Sequence, residues 1–316
     1  MVNKSTAPVG TAARIADIID RNDVEVASNP EFLREGTAVR DFLRPDRVVI
    51  GAENRETSVR VAELYRDIDA TKLLVNTATA ELIKYASNAF LATKISFANS
   101  ITNLCEAVGA NAHEVLEGMG RDERIGGKFL KPGPGWGGSC FPKDTYALLS
   151  MAEAAGYEFD LLKAVVHANE KQLALMVDKI DELLERQMDG SKVAVWGLAF
   201  KAGTDDTRQS PALEISQRLL KKGAAIKAYD PAVETAPEGI EMASSALSAC
   251  EDADILVVLT EWPEFASAPL DTVANKLRMR RVLDTRNILD TRKLSILQFE
   301  FQSVGNFMPY SLVSKM

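Results

Sequence analysis

The chain has 316 residues, 46% hydrophobic and 26% charged, a balance ordinary for a globular protein long enough to hold two or three domains. Its formal charge of −8 argues against nucleic acid as a partner, no apolar run approaches a membrane span, and the opening MVNKSTAPVG carries no hydrophobic signal region. Cys105, Cys140 and Cys250 form no CxxC pair and stand at no metal spacing with His113 or His167, so a cytoplasmic chain without a metal or a membrane partner is expected.

Up to about Thr77 the pattern is α/β. Val24–Ala27 and Val48–Ile50 read as buried strands, Glu56–Ile68 as a helix and Leu73–Val75 as a further strand. No G-x-G-x-x-G occurs here or at any later strand-to-helix turn. Leu82, Ala86, Ala89, Thr93, Phe97, Ile101, Leu104 and Val108 then recur at helical spacing, an apolar stripe on one long helix. Thr79 is its expected N-cap and Gly109 its stop. A second long helix carries Leu162, Val165, Leu173, Met176, Ile180 and Leu183. So much apolar surface suggests either a second copy or cover for the flanking domains. Asp189–Gly190–Ser191 breaks the helix, and Lys192–Leu198 reads as a buried strand. Ser210, Pro211 and Gly223 are suited to N-cap, N1 and C′ of the next helix. Ile226–Tyr229, Ile255–Leu259 and Val282–Leu283 continue as strands of a second doubly wound domain. Its first turn, GLAFKAG, lacks the dinucleotide fingerprint. Lys293 to Met316 has little periodicity.

The richest segment for chemistry is KPGPGWGGSCFPKD, Lys131 to Asp144. Cys140 stands just before a helix expected to start at Pro142, with Ala147, Leu148, Met151 and Ala155 at helical spacing. A thiol beside unpaired N–H groups at the positive end of a helix is in the setting of a nucleophile. Gly133, Gly135, Gly137 and Gly138 allow the backbone to crowd against a ligand. Asp144 falls one turn from Cys140, and Lys84 and Asn88 likewise share one helical face. Cys105 and Cys250 lie in apolar runs and are expected to be buried and inert, and both histidines read as structural.

This segment resembles the nucleotide-sugar dehydrogenase family. So do KSTAPVG (4–10), SNPEFLREGTA (28–38), AELIKYASNAFLATKISFAN (80–99), RIGGKFL (124–130), GLAFKAGTDDTRQSP (197–211), AYDP (228–231), LTEW (259–262) and LDTRN (283–287), in the family's order. The resemblance implies NAD as cofactor and UDP-glucose as substrate, oxidised twice to UDP-glucuronate through a thiohemiacetal and a thioester on Cys140. It implies that Lys84 and Asn88 stabilise the oxyanion, that Asp144 works through water and the lysine, and that Glu31 and Thr6 activate and orient the hydrolytic water. Phe32, Leu33 and Glu35 match the loop that holds the sugar nucleotide, together with Gly137. Arg124, Lys131, Lys201 and Arg286 match cations that meet pyrophosphate or sugar hydroxyls. Phe129 either packs beneath the substrate or belongs to the core. Thr6, Glu35, Lys143 and Arg208 match positions at the cofactor. Family members form homodimers in which the residue matching Arg124 reaches the neighbouring subunit's site.

The chain departs from the family's pattern at its start. Members open with a strand and G-x-G-x-x-G before KSTxPxG, whereas KSTAPVG here begins at Lys4. The expected α/β architecture is an incomplete N-terminal Rossmann-like domain (1–78), lacking part of the NAD-binding domain, a central helical dimerisation domain (79–188) and a C-terminal Rossmann-like UDP-sugar-binding domain (189–316). A second reading is a UDP-sugar-binding and dimerisation module without hydride transfer. Within the enzyme class, GDP-mannose and UDP-N-acetylhexosamine dehydrogenases are rivals, and Ser139 and Phe141 in SCFPKD favour UDP-glucose.

Overall fold

A computed structural model of the chain describes residues 1–305; the last part of the expected C-terminal domain, 306–316, lies outside them. The N-terminal part runs β1 (Val2–Asn3), α1 (Thr11–Ile19), β2 (Ala27–Ser28), α2 (Ala38–Leu43), β3 (Arg47–Ala52), α3 (Arg55–Glu63) and β4 (Thr71–Val75). Four helices follow: α4 (Thr77–Val108), α5 (Ala112–Gly120), α6 (Phe141–Ala154) and α7 (Asp160–Leu183). The rest alternates through β5 (Lys192–Trp196), α8 (Pro211–Lys221), β6 (Ala225–Tyr229), β7 (Ile240–Met242), α9 (Ala246–Ala249), β8 (Ile255–Val258), α10 (Pro263–Ala266), α11 (Leu270–Lys276), β9 (Arg281–Asp284), α12 (Thr291–Ile296) and β10 (Glu300–Ser303). The chain divides into two compact units, Met1–Phe90 with Lys143–Leu162, and Leu91–Pro142 with the residues from Lys163 on.

The first unit holds a four-stranded sheet in the order β1-β2-β3-β4, in which only the β2–β3 pair is antiparallel. Its small core gathers Ala27, Val48, Ile50, Ala52, Val61 and Tyr65. The strand expected at Val24–Ala27 is confined to Ala27–Ser28, because Val24 closes a turn on the Arg21 carbonyl. Helix α3 ends at Glu63, and single turns carry the chain to Ile68. Helix α4 starts two residues before the expected cap: the Asn76 side chain accepts the Thr79 N–H at 2.8 Å, so Asn76 takes the capping role.

Helix α4 is inverted relative to an ordinary surface helix. Glu81, Lys84, Asn88, Ser96, Asn99 and Thr102 are buried, whereas Leu82, Phe97, Leu104 and Val108 of the apolar stripe are 45–67% exposed. Among the described residues no helix is long and apolar enough to cross a membrane.

The second unit holds a parallel six-stranded sheet in the order β7-β6-β5-β8-β9-β10. Counted by occurrence this is 3-2-1-4-5-6, the doubly wound arrangement whose direction reverses between β5 and β8. VAVW in β5 and ILVV in β8 are buried on both faces, as parallel strands covered by helices must be. One face packs on Ile215 and Leu219 of α8 and on Met176, Ile180 and Leu183 of α7. Met176, Ile180 and Leu183 of the α7 stripe are therefore covered within the second unit. Ser210 caps α8 and Pro211 opens it, as the sequence predicts. The stretch after Lys293 is structured: α12 completes there, and β10 pairs in parallel with β9.

Candidate active site

In the first unit, SNPEFL meets the polar face of α4. Glu31 Oε2 accepts the Leu33 N–H at 2.6 Å, and Oε1 lies 3.4 Å from Lys84 Nζ. The Lys84 side chain is only 4% exposed. Its ammonium also lies 5.2 Å from the Phe32 ring centroid. One turn on, Asn88 Nδ2 donates to Asp144 Oδ2 at 2.6 Å, and Lys143 donates to the other oxygen of this fully buried carboxylate. The helical spacing of Lys84 and Asn88 therefore sets a cation against one acid and a carboxamide against another. Burial, reinforced by the charges of Asp144 and Glu81, pushes the buried Tyr85 phenol up, keeping it a neutral neighbour. Thr6 and Glu35 are half-buried in the same unit.

In the second unit, Cys140 is half-buried immediately ahead of α6, its sulfur 3.6 Å from Ser139 Oγ. The helix begins at Phe141, so Pro142 is its second residue and Asp144 lies in its first turn. The glycines before Cys140 crowd against protein atoms. A Cβ on Gly137 would lie 2.1 Å from the Gln209 carbonyl oxygen, and one on Gly138 would lie 2.9 Å from the Phe200 ring. Arg286 ties the strand ends at the sheet's reversal together. Its Nε donates to the Leu259 carbonyl at 2.8 Å and stands 3.2 Å from Glu261, and a terminal nitrogen donates to the Phe200 carbonyl at 3.1 Å. Lys201 is half-buried, with Nζ 5.3 Å from the Phe200 ring centroid, and Lys131 is exposed. Phe129 takes a left-handed backbone, φ 64°, and its ring meets that of Phe141 at 6.2 Å.

Some sequence candidates are not drawn into these groups. Arg124 and Arg208 are exposed, each paired bidentately with an acid two residues earlier, Asp122 and Asp206. Conversely, the sequence reading missed Arg47, whose guanidinium stacks 3.9 Å from the Phe32 centroid on the ring that Lys84 also approaches. It also missed a role for Asp230, at the end of β6. The Asp230 carboxylate accepts from the N–H groups of Leu198 and Ala199 at 2.8 and 3.0 Å and from the Trp262 indole at 3.1 Å. An acid closing the second strand of a doubly wound sheet was the available signal. Here it secures the first turn, where a dinucleotide domain reads a ribose.

The strand order, with its reversal between β5 and β8, defines a Rossmann-type α/β protein. The chain belongs to the UDP-glucose/GDP-mannose dehydrogenase family: residues 1–69 match its NAD binding domain, 78–171 its central domain and 194–291 its UDP binding domain. It is 43% identical over 315 residues to a UDP-glucose 6-dehydrogenase of Rickettsia conorii, covering 97% of this chain and 73% of that protein. It is 44% identical to the UDP-glucose 6-dehydrogenase TuaD of Bacillus subtilis, covering 96% and 68%. A UDP-glucose dehydrogenase structure from Pyrobaculum islandicum superposes with a TM-score of 0.87 at 36% identity, covering 96% and 70%.

The cofactor of this family is NAD. The expectation that the NAD-binding domain is incomplete is not borne out, since the match begins at residue 1 and this segment forms its own sheet and core. That expectation rested on the position of KSTAPVG at Lys4, with no strand and G-x-G-x-x-G ahead of it. Of the residues expected at the cofactor in this unit, Thr6 and Glu35 are half-buried, and Lys143 is exposed with its ammonium held by Asp144. The start of α1 is already occupied, because the Glu81 carboxylate accepts the N–H groups of Gly10 and Ala12 at 2.7 and 2.8 Å.

Proposed function

We propose that the chain carries out the NAD-dependent two-step oxidation of UDP-glucose to UDP-glucuronate. The observation that carries this reading is the half-buried Cys140, directly ahead of α6 within SCFPKD, in a chain with UDP-glucose 6-dehydrogenases among its relatives. NAD, when bound, accepts the hydride in each oxidation. Thr6, Glu35, Lys143 and Arg208 hold it. The Cys140 thiolate adds to the carbon of the intermediate aldehyde, and the carbonyl electron pair moves onto oxygen. Lys84 and Asn88 stabilise that oxyanion, and Asp144, which Asn88 and Lys143 already hold, exchanges protons through water. After the second oxidation, Glu31 and Thr6 direct water onto the thioester; the C–S bond breaks, and Cys140 leaves as thiolate.

The sugar nucleotide is held by Phe32, Leu33, Glu35 and Gly137, with Lys131, Lys201 and Arg286 as its cations, Phe129 beneath it and Arg124 supplied by a second copy. The functional division is 1–78 for cofactor, 79–188 for dimerisation and 189–316 for UDP-sugar. A homodimer in the cytoplasm is the working unit.

Incubation with UDP-glucose and NAD tests the reading. The expected result is about two NADH for each UDP-glucuronate formed, and Cys140→Ser should abolish release of the acid. UDP-glucose binding with no NADH formed would favour the binding and dimerisation module. Faster turnover of GDP-mannose or a UDP-N-acetylhexosamine would reassign the substrate.

A further inference from the structure

The loop that leads to Cys140 lies outside any helix or strand, yet residues 133 and 136–138 are buried. Buried backbone groups must find partners. Here side-chain carboxamides supply them. The Gly133 N–H donates to Asn99 Oδ1 at 2.9 Å, and Gln172 Nε2 donates to the Gly133 carbonyl at 2.9 Å. Trp136 is paired still more closely by one residue: its N–H donates to Asn169 Oδ1 at 2.8 Å, and Asn169 Nδ2 donates back to its carbonyl at 3.1 Å. A carboxamide carries the same donor and acceptor as a peptide group. Asn169 therefore does for Trp136 what a neighbouring strand does in a sheet.

The placement is costly unless the bonds are made. Asn99, Asn169 and Gln172 are 2–6% exposed. Apolar residues would pack there without needing partners, and Asn169 and Gln172 use both ends of their carboxamides, while Asn99 uses its oxygen alone. Asn169 and Gln172 are three residues apart on α7 and so share one face. The grip also fixes where the glycines land. A Cβ on Gly135 would lie 2.9 Å from Asn169 Oδ1, just as Gly137 and Gly138 abut Gln209 and Phe200.

We propose that Asn169 and Gln172 are positioning residues for Cys140. They fix the register of the loop on α7, and so keep the sulfur immediately ahead of α6. The proposal rests on the reading of Cys140 as the nucleophile. Every group named in this clamp lies in the second unit.

The test is the rate at which iodoacetamide alkylates Cys140 near neutral pH, followed by peptide mapping together with Cys105, Cys250 and the melting temperature. In Asn169→Ala the Cys140 rate should fall roughly fivefold while Cys105 and Cys250 remain unlabelled. Gln172→Glu keeps the acceptor that binds Asn103 Nδ2 at 2.9 Å and removes the donor to Gly133. It should slow Cys140 in the same direction with a smaller fall in melting temperature. If Asn169→Ala unfolds and exposes all three thiols, Gln172→Glu decides the matter. A lowered melting temperature with an unchanged or faster Cys140 rate in Gln172→Glu means a purely structural role and overturns the proposal. Separately, alkylated wild-type chain that still forms UDP-glucuronate would remove Cys140 from the chemistry and leave the clamp measurement standing.

Discussion

Cys250 sits at zero exposure against the Ala246 carbonyl, and burial pushes its thiol up to about 12. Cys105 is buried as well, so brief iodoacetamide treatment near neutral pH should label Cys140 first. Peptide mapping that finds Cys105 or Cys250 modified ahead of it would contradict this. The same burial gives a stability slope of known sign. The unfolded chain loses the Cys250 proton from about pH 8.5, while the folded chain holds it to about 12, so stability falls as pH rises through that window. Urea titrations at about pH 8 and about pH 10 should show a steeper loss for wild type than for Cys250→Ala, by at most about 1.4 kcal/mol per pH unit. Gly137 is constrained by space: the atom its Cβ would meet at 2.1 Å is backbone, the Gln209 carbonyl. Gly137→Ala should cost about 1–3 kcal/mol in chemical denaturation and weaken UDP-glucose binding in calorimetry. Arg47 illustrates what a residue-by-residue reading overlooks. Its partner Phe32 lies 15 positions away, and nothing in the spacing brings a guanidinium onto that ring.

At the scale of elements, Glu81 joins helix α4 to the start of α1. Gly10 there has φ 91° and no side chain to cap the helix, so Glu81 accepts two of its opening N–H groups. Glu81→Ala should leave both unpaired and lower stability by about 1–3 kcal/mol in thermal or urea melts, with Glu81→Gln losing less. Local signals served well where they were strong. Ser210–Pro211 and Gly223 bracketed α8, and the apolar runs of β5 and β8 marked parallel strands. They failed where an element is short and held by its neighbours. β1 and β2 have two residues each, β7 has three, and β10 exists by pairing with β9. The helical period also said nothing of which α4 face is buried. Glu81, Lys84, Asn88, Ser96 and Asn99 turn inward and make hydrogen bonds or ion pairs there, while Leu82, Phe97, Leu104 and Val108 of the stripe stay outside.

For the whole molecule, that exposed stripe is the strongest physical support for self-association. Phe90, at 63% exposure, adds to Leu82, Phe97, Leu104 and Val108 along α4. Burying such surface contributes roughly 25 cal/mol per Å², and stable homodimer interfaces commonly exceed about 2,000 Å². Light scattering at low micromolar concentration should give a dimer mass that is insensitive to salt, and Phe97→Glu should give a monomer. A wild-type monomer that persists as concentration rises would remove both the dimer and the role assigned to Arg124.

The sequence by itself determined the α/β class, the two long helices, the second doubly wound domain and the family, because each is written in local periodicity, caps or ordered motifs. It also singled out Cys140, Lys84, Asn88 and Asp144, whose neighbours lie one turn away. Only the tertiary structure decided which groups answer one another across sequence: Glu31 with Lys84, Arg47 with Phe32, Asp230 with the first turn of the sheet, Asn169 with Trp136. Hydrogen bonds and ring contacts depend on distances of a few ångströms between residues far apart in the chain, and composition and spacing carry no record of those distances.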